Sequence, residues 1–158
     1  MFCPQCSADN PASPPAPALD NAIWNPNAAA NWSLLFSPAF GAYLHMLNWR
    51  SLGQPGRAAA AQHWFLASLT MLLVYVLLGV FMADSRAADA ASRGLGFVYL
   101  ITWYFAAGRS QARYVKEKFG ADYPRKPWGR ALGLAVAGLA GYFFLAVVVG
   151  VIAGLSGR

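Results

Sequence analysis

Carboxylates are scarce in this chain. Asp and Glu together number six in 158 residues, and charged residues of both signs make up 11%, against about 25% in ordinary soluble domains. None of the six falls inside a long apolar run. Asp9 and Asp20 lie in the N-terminal segment, Asp84 and Asp89 between two apolar stretches, and Glu117 and Asp122 within a basic one. No pair is placed for acid–base work, and the buried carboxylate that proton- or cation-coupled transport usually needs is missing. Gly-rich phosphate motifs and Ser-His-Asp patterns are absent as well. These gaps point away from hydrolases, glycosyltransferases and coupled transporters. The first six residues have neither the basic start nor the apolar run of a secretory signal, so export by the classical route is not expected.

What the chain does have is apolar length, with 58% of its residues hydrophobic. Residues 64–83 carry no charge and as a helix would run about 30 Å, the thickness of a bilayer's hydrocarbon core. Residues 94–108 form a second, aromatic-rich span, which reaches full length if 90–93 joins it and Arg93 snorkels. Residues 131–157 form a third, long enough to cross tilted. Residues 32–47 are also uncharged but short, and Pro38 and Gly41 interrupt them. They read as a short spanning helix, a re-entrant hairpin bent at 38–41, or a helix lying in the interface. The predicted fold is an all-α integral membrane protein with three transmembrane helices plus this Pro/Gly-broken segment; four crossings are the alternative. Residues 1–9 form a Cys-containing head. Residues 10–31, with five of the ten prolines, read as an extended linker with no core of its own. The membrane domain is 32–157.

Seven of the twelve Lys and Arg residues lie within 109–130, as Arg109, Arg113, Lys116, Lys118, Arg125, Lys126 and Arg130. Positive residues beside apolar spans are held on the cytoplasmic side. With 32–47 re-entrant, three crossings put the head, Arg50, Arg57 and the 109–130 loop all in the cytoplasm; with four, that loop is cytoplasmic only if the N-terminus is outside. The first arrangement is preferred. Within 109–119, Ala112, Val115 and Phe119 make a thin apolar stripe, with Arg113, Lys116 and Glu117 facing away. Tyr114, Phe119, Tyr123 and Trp128 interleave with the cations, a composition suited to anionic headgroups, where each cation gains about 1 kcal/mol. No groove-reading motif accompanies the charge, so nucleic acid is not an expected partner.

Cys3 and Cys6 are the only cysteines. Their spacing lets two thiolates reach one tetrahedral Zn²⁺, so zinc is the one expected cofactor. The run 1–11 (MFCPQCSADNP) resembles the opening of bacterial zinc-ribbon proteins, in which a second Cys pair completes the site. That pair is missing here, and Ser7 replaces the usual knuckle glycine. Completion would require His45 and His63 or a second copy of the chain; a redox pair and a remnant without metal are the other readings. The stretch 36–61 (FSPAFGAYLHMLNWRSLGQPGRAAAA) is similar to a pattern in small bacterial multi-pass membrane proteins, which implies membrane class and no particular chemistry. Asn48 and Arg50 within it could bind a headgroup phosphate or cap a helix, the cap or topology role being favoured.

In the last span Gly133, Ala137 and Gly141 recur at four-residue spacing, as do Ala146, Gly150 and Gly154. Such rows let helix backbones approach closely, inside the chain or across an oligomer interface. These features predict a non-catalytic accessory or assembly protein of the bacterial inner membrane. It would use Arg109, Arg113, Lys116, Lys118, Arg125, Lys126, Trp128 and Arg130 to contact anionic lipid or an acidic partner, and the last span to pack in a homo-oligomer or larger complex. A small transporter or channel with His45 at the tip of a re-entrant element is one alternative. A membrane thiol-redox or metal-handling protein using Cys3 and Cys6 is the other.

Overall fold

The computed structural model describes residues 21–82 and 84–156, and the regular structure among them is helical apart from one parallel bridge between Ile23 and Arg125. Proline sets the first three helix starts. Pro26, Pro38 and Pro55 open α1 (Pro26–Phe36), α2 (Pro38–Ser51) and α3 (Pro55–Phe81), where an absent N–H costs no intrahelical bond. The Asn25 side chain caps α1, accepting the N–H groups of Asn27 at 3.0 Å and Ala28 at 3.3 Å. Ser85 does the same for α4 (Arg86–Trp103) through the N–H of Ala88. That helix runs through a π-helical turn (Tyr104–Gly108) directly into α5 (Arg109–Phe119), which stops at Gly120 with φ 72°. The last helix, α6, is Gly129–Leu155.

The stretch 21–31, read from composition as the end of a linker, is part of the fold. Ile23 and Ala29 are fully buried, and α1 begins at Pro26. Proline marks a helix start here, a role that composition cannot distinguish from linker stiffness. Likewise 32–47 is not one helix. The chain breaks at Ser37, whose φ of 122° lies in a region that favours glycine, and α1 and α2 form a hairpin. At its apex, Ser37 and Pro38 line a cavity of about 50 Å³ with Ser68, Leu72 and Tyr75 from the middle of α3 and Gly96 and Tyr99 from α4. Its two open ends return together, since Trp24 ahead of α1 bonds Asn48 near the end of α2. Gly41 is needed where the arms cross: a Cβ there would collide with Ser33 Oγ and stand 2.6 Å from the Trp103 ring.

Two helices, Pro55–Phe81 and Gly129–Leu155, are long and apolar enough to cross a membrane. Only 11% and 6% of their most apolar windows are buried, so neither is the core helix of a soluble domain. Leu73, Leu77, Phe81, Phe143, Phe144 and Val147 stand exposed along them, as lipid-facing side chains do. The remaining expected span, 94–108, coincides with the second half of α4 and the π-turn; α4 carries Arg86, Asp89 and Arg93 in its first half. The packed core sits at one end of the molecule. There Ile23, Met46, Trp49, Val115 and Phe119 gather α2 and α5 around the base of α3, and Ala29, Leu44 and Ala131 join α1 and α2 to the base of α6.

Candidate functional site

A buried amide network fixes that end. Asn48 is fully buried. Its Oδ1 accepts the Trp24 N–H at 3.0 Å, and its Nδ2 donates to the Trp24 carbonyl at 2.8 Å and to Gln111 Oε1 at 3.0 Å. Gln111, also fully buried, donates from Nε2 to the His45 carbonyl at 2.9 Å. Two helices, α2 and α5, and the chain entering α1 are thereby joined with their polar groups satisfied. The neighbouring strand-like contact holds the basic loop: Ile23 N–H donates to the Pro124 carbonyl at 3.1 Å, Lys126 N–H to the Ile23 carbonyl at 2.9 Å, and Trp24 Nε1 to the Pro127 carbonyl at 3.2 Å.

Beside the network, α2, α3, the π-turn and α5 enclose a cleft of about 350 Å³. Arg57, Arg113, Tyr114 and Glu117 line it at the end nearest the basic loop; Ala60, Ala61 and Ser110 follow; Trp64, Trp103 and His45 line the far end. The π-turn contributes Ala106 and Ala107, a widened helical turn of the kind often found where a helix borders a functional site. The Arg57 guanidinium rests over a pair of aromatic rings in edge contact, 4.9 Å from the Trp49 centroid and 4.6 Å from that of Tyr114, the two centroids being 5.1 Å apart. Among the described residues the one ion pair joins Asp89 to Arg93, so Arg57 and Arg113 face the cleft without a carboxylate in salt-bridge contact. Two buried polar atoms belonging to cleft residues have no hydrogen-bond partner, His45 Nδ1 and Trp103 Nε1. His45 Nε2 lies 3.3 Å from the Pro26 carbonyl. Burial pushes the His45 pKa down to about 4, with the Pro26 carbonyl opposing the shift, so the ring is neutral at ordinary pH. A second groove of about 410 Å³, between α2, α3 and α6, is lined mainly by apolar side chains, including Phe40, Phe65, Leu72 and Leu139.

The cations expected to contact lipid distribute around this end. Arg113 enters the cleft, whereas the others stay outside it. Several rest on rings: Arg109 on Phe105 at 5.5 Å, Lys118 on Tyr114 and Phe119 at 5.6 Å each, Arg125 on Tyr123 at 5.2 Å, and Lys126 on Trp24 at 4.5 Å. Lys116 and Arg130 are exposed, and Trp128 packs near Trp32 with ring centroids 6.4 Å apart. The buried face of α5 is Gln111, Val115 and Phe119, with Ala112 half-buried. Gln111 is the member that apolar periodicity misses, because it is polar and buried only through its amide partners.

His45 is not at the hairpin tip. It lies two turns beyond the apex, buried against Trp103 with ring centroids 5.8 Å apart, and His63 is exposed on α3. No three of His, Cys, Asp or Glu form a metal-holding group among the described residues. Cys3 and Cys6 lie outside the described residues. The small-residue row of α6 does not pack within the chain: a Cβ at Gly133, Gly141, Gly150 or Gly154 meets nothing within 4 Å, and Ala137 is exposed. The buried face is instead Ala131, Ala135 and Ala153, with Ala146 half-buried beside it. Asn48 is neither a helix cap nor a headgroup ligand but the centre of the amide network. Arg57, Trp49 and Trp103, absent from the predicted contact residues, are central to the cleft; an arginine among aromatics at the foot of a span was the available signal. Comparison with protein-family models, with curated proteins and with solved structures finds no match.

Proposed function

We propose that this chain is a non-catalytic accessory protein of the bacterial inner membrane that seats an anionic lipid headgroup in the Arg57–Arg113 cleft. In this reading α3, α4 and α6 are three spans. The α1–α2 hairpin enters the bilayer from the basic, cytoplasmic side and leaves on the same side. Its arms of 11 and 14 residues are about 16 and 21 Å long, short of the hydrocarbon thickness. Leu34 and Leu35 near its apex are exposed, as lipid contact requires. Leu95, Phe97, Val98 and Phe105 give α4 and the π-turn an exposed apolar face of the same kind.

The observation that carries the proposal is Arg57, resting on the edge-packed rings of Trp49 and Tyr114 at the level where the apolar helices give way to the basic loop. A guanidinium fixed on aromatic rings and lacking a carboxylate partner is pre-organised for a phosphate. The ring-stacked cations around it suit an interfacial aromatic belt. Native mass spectrometry of the protein purified in neutral detergent tests this. An anionic phospholipid should remain bound in preference to a zwitterionic one of the same chains, and the Arg57→Gln/Arg113→Gln variant should lose it. Equal retention of both lipids, or retention unchanged in the double variant, sinks the proposal.

A further inference from the structure

One face of α5 supplies most of the cleft's polar side chains. Ser110, Arg113, Tyr114 and Glu117 all line it, and positions 110, 113, 114 and 117 stack on adjacent turns of a helix. Arg57 reaches across from α3 onto the Tyr114 ring. Arg57, Arg113 and Glu117 are exposed, so all three are open to a ligand entering the cleft.

Glu117 is the one acid among the residues lining the cleft. It stands one turn beyond Arg113 on α5, yet the two form no salt bridge, Asp89–Arg93 being the one ion pair among the described residues. A base followed by an acid is the less favourable order for such a helix pair. The carboxylate is therefore an acceptor with no cation of its own chain upon it. Ser110 Oγ is a second acceptor. It gives its proton to the Ala107 carbonyl at 2.7 Å and turns only lone pairs to the cleft.

A bare phosphate has nothing to offer these acceptors. Its oxygens accept as well, and a phosphomonoester brings close to a second negative charge toward Glu117. The ligand must carry donors beside its phosphate. An ammonium is a donor, but residues 109–130 hold seven Lys and Arg against Glu117 and Asp122, and Arg57 adds another cation, so a positive group is repelled here. Hydroxyls donate without charge. The formal charges of Arg57, Arg113 and Glu117 leave one positive, which the single negative charge of a phosphodiester complements.

Resting on the lipid-headgroup reading above, we infer that the headgroup is a phosphodiester of a neutral polyol, the chemistry of phosphatidylglycerol. Its phosphate meets Arg57 and Arg113, and its hydroxyls donate to Glu117 and Ser110 Oγ. Glu117 is then the specificity-determining residue, accepting from the polyol and repelling the doubly charged phosphate of a phosphatidic acid.

The test compares phosphatidylglycerol, phosphatidic acid and phosphatidylethanolamine of identical acyl chains on the full-length protein in neutral detergent by native mass spectrometry. Free glycerophosphoglycerol is the soluble competitor. Phosphatidylglycerol should be retained over phosphatidic acid by about threefold or more, although the latter carries more charge; one charge-assisted hydrogen bond gained and one like-charge contact avoided act in the same direction. Glu117→Gln should abolish or reverse that order. Asp89→Asn, which removes a carboxylate at the opposite end of α4, should leave the order unchanged. Phosphatidic acid held as well as phosphatidylglycerol by the wild type, with both lost in Arg57→Gln/Arg113→Gln, overturns the polyol inference and leaves the headgroup reading standing. An order unchanged in Glu117→Gln does the same. Preference for phosphatidylethanolamine, or retention of none of the lipids, overturns both. Competition by glycerophosphoglycerol at equal concentration overturns the lipid assignment in favour of a soluble phosphodiester.

Discussion

The side-chain amide of Asn48 closes on both main-chain groups of Trp24, accepting its N–H at 3.0 Å and donating to its carbonyl at 2.8 Å. It thus acts as a short piece of strand backbone in the wall of a helical bundle. Because the same amide reaches Gln111, one residue ties the entry to α1, the end of α2 and the start of α5. Of the cleft arginines, Arg113 stands on α5, one of the elements so joined.

Replacing Asn48 with Leu keeps the volume and removes the amide, leaving the Trp24 N–H and carbonyl and Gln111 Oε1 without their partner. A loss of about 2–4 kcal/mol is expected, at about 1–3 kcal/mol for each buried unsatisfied group. Gln111→Leu should cost less, and the double variant should lose less than the sum, since the pair shares a bond. Thermal unfolding of the purified protein in detergent measures all three; additive losses would mean that the network is not coupled.

Gly41 sits where α1, α2 and Trp103 meet, and a methyl group there collides with Ser33 Oγ and the indole ring. Gly41→Ala should destabilise by about 1–3 kcal/mol, the scale of core overpacking. Ser33→Ala in the same chain should recover part of this by removing the hydroxyl. A Gly41→Ala protein as stable as the wild type would mean that the hairpin arms are further apart than described.

The apolar lengths and the basic loop were legible in the sequence because both are runs: long apolar helices and clustered cations leave continuous signals. The hairpin was half legible. Pro38 marked a break, but the other arm was hidden in a proline- and alanine-rich stretch, where Pro26 opens a helix. The cleft was least legible, since it draws Trp49, Arg57, Trp103 and Arg113 from separate helices and no periodicity links them. Gln111 was missed, and Asn48 was given a different role, for a related reason: polar residues are read as exposed unless their partners are known.

Acid should weaken the fold through His45, which lies outside the two long apolar helices. An ordinary histidine protonates near pH 6.5, whereas burial holds this one down to about 4. Between those values the unfolded chain takes up a proton that the folded chain refuses, so protons favour unfolding. This cost is absent above about pH 6.5 and grows to about 3 kcal/mol as pH falls to 4. His45→Gln should flatten that part of the stability profile measured by thermal unfolding from pH 7.5 to 4.5. An unchanged slope in the variant would assign the acid sensitivity to other groups.

The last helix separates two rows of small residues that sequence spacing treats alike. Ala131 and Ala135 are buried, at 1% and 6% exposure, whereas the row of Gly133, Ala137 and Gly141 looks outward. Ala135→Leu should therefore overpack a buried position at the α2–α3–α6 groove and cost about 1–3 kcal/mol. Gly141→Leu meets open space and gains helix propensity of up to about 1 kcal/mol, so it should leave thermal unfolding unchanged or raise its midpoint. The reverse ranking would show that the helix is rotated and packs through the other row. Size-exclusion chromatography with light scattering on the same two variants separates packing within the chain from packing between copies. If Gly141→Leu breaks up an oligomer without lowering stability, the outward row serves a second helix; if mass and stability are both unchanged, lipid covers it.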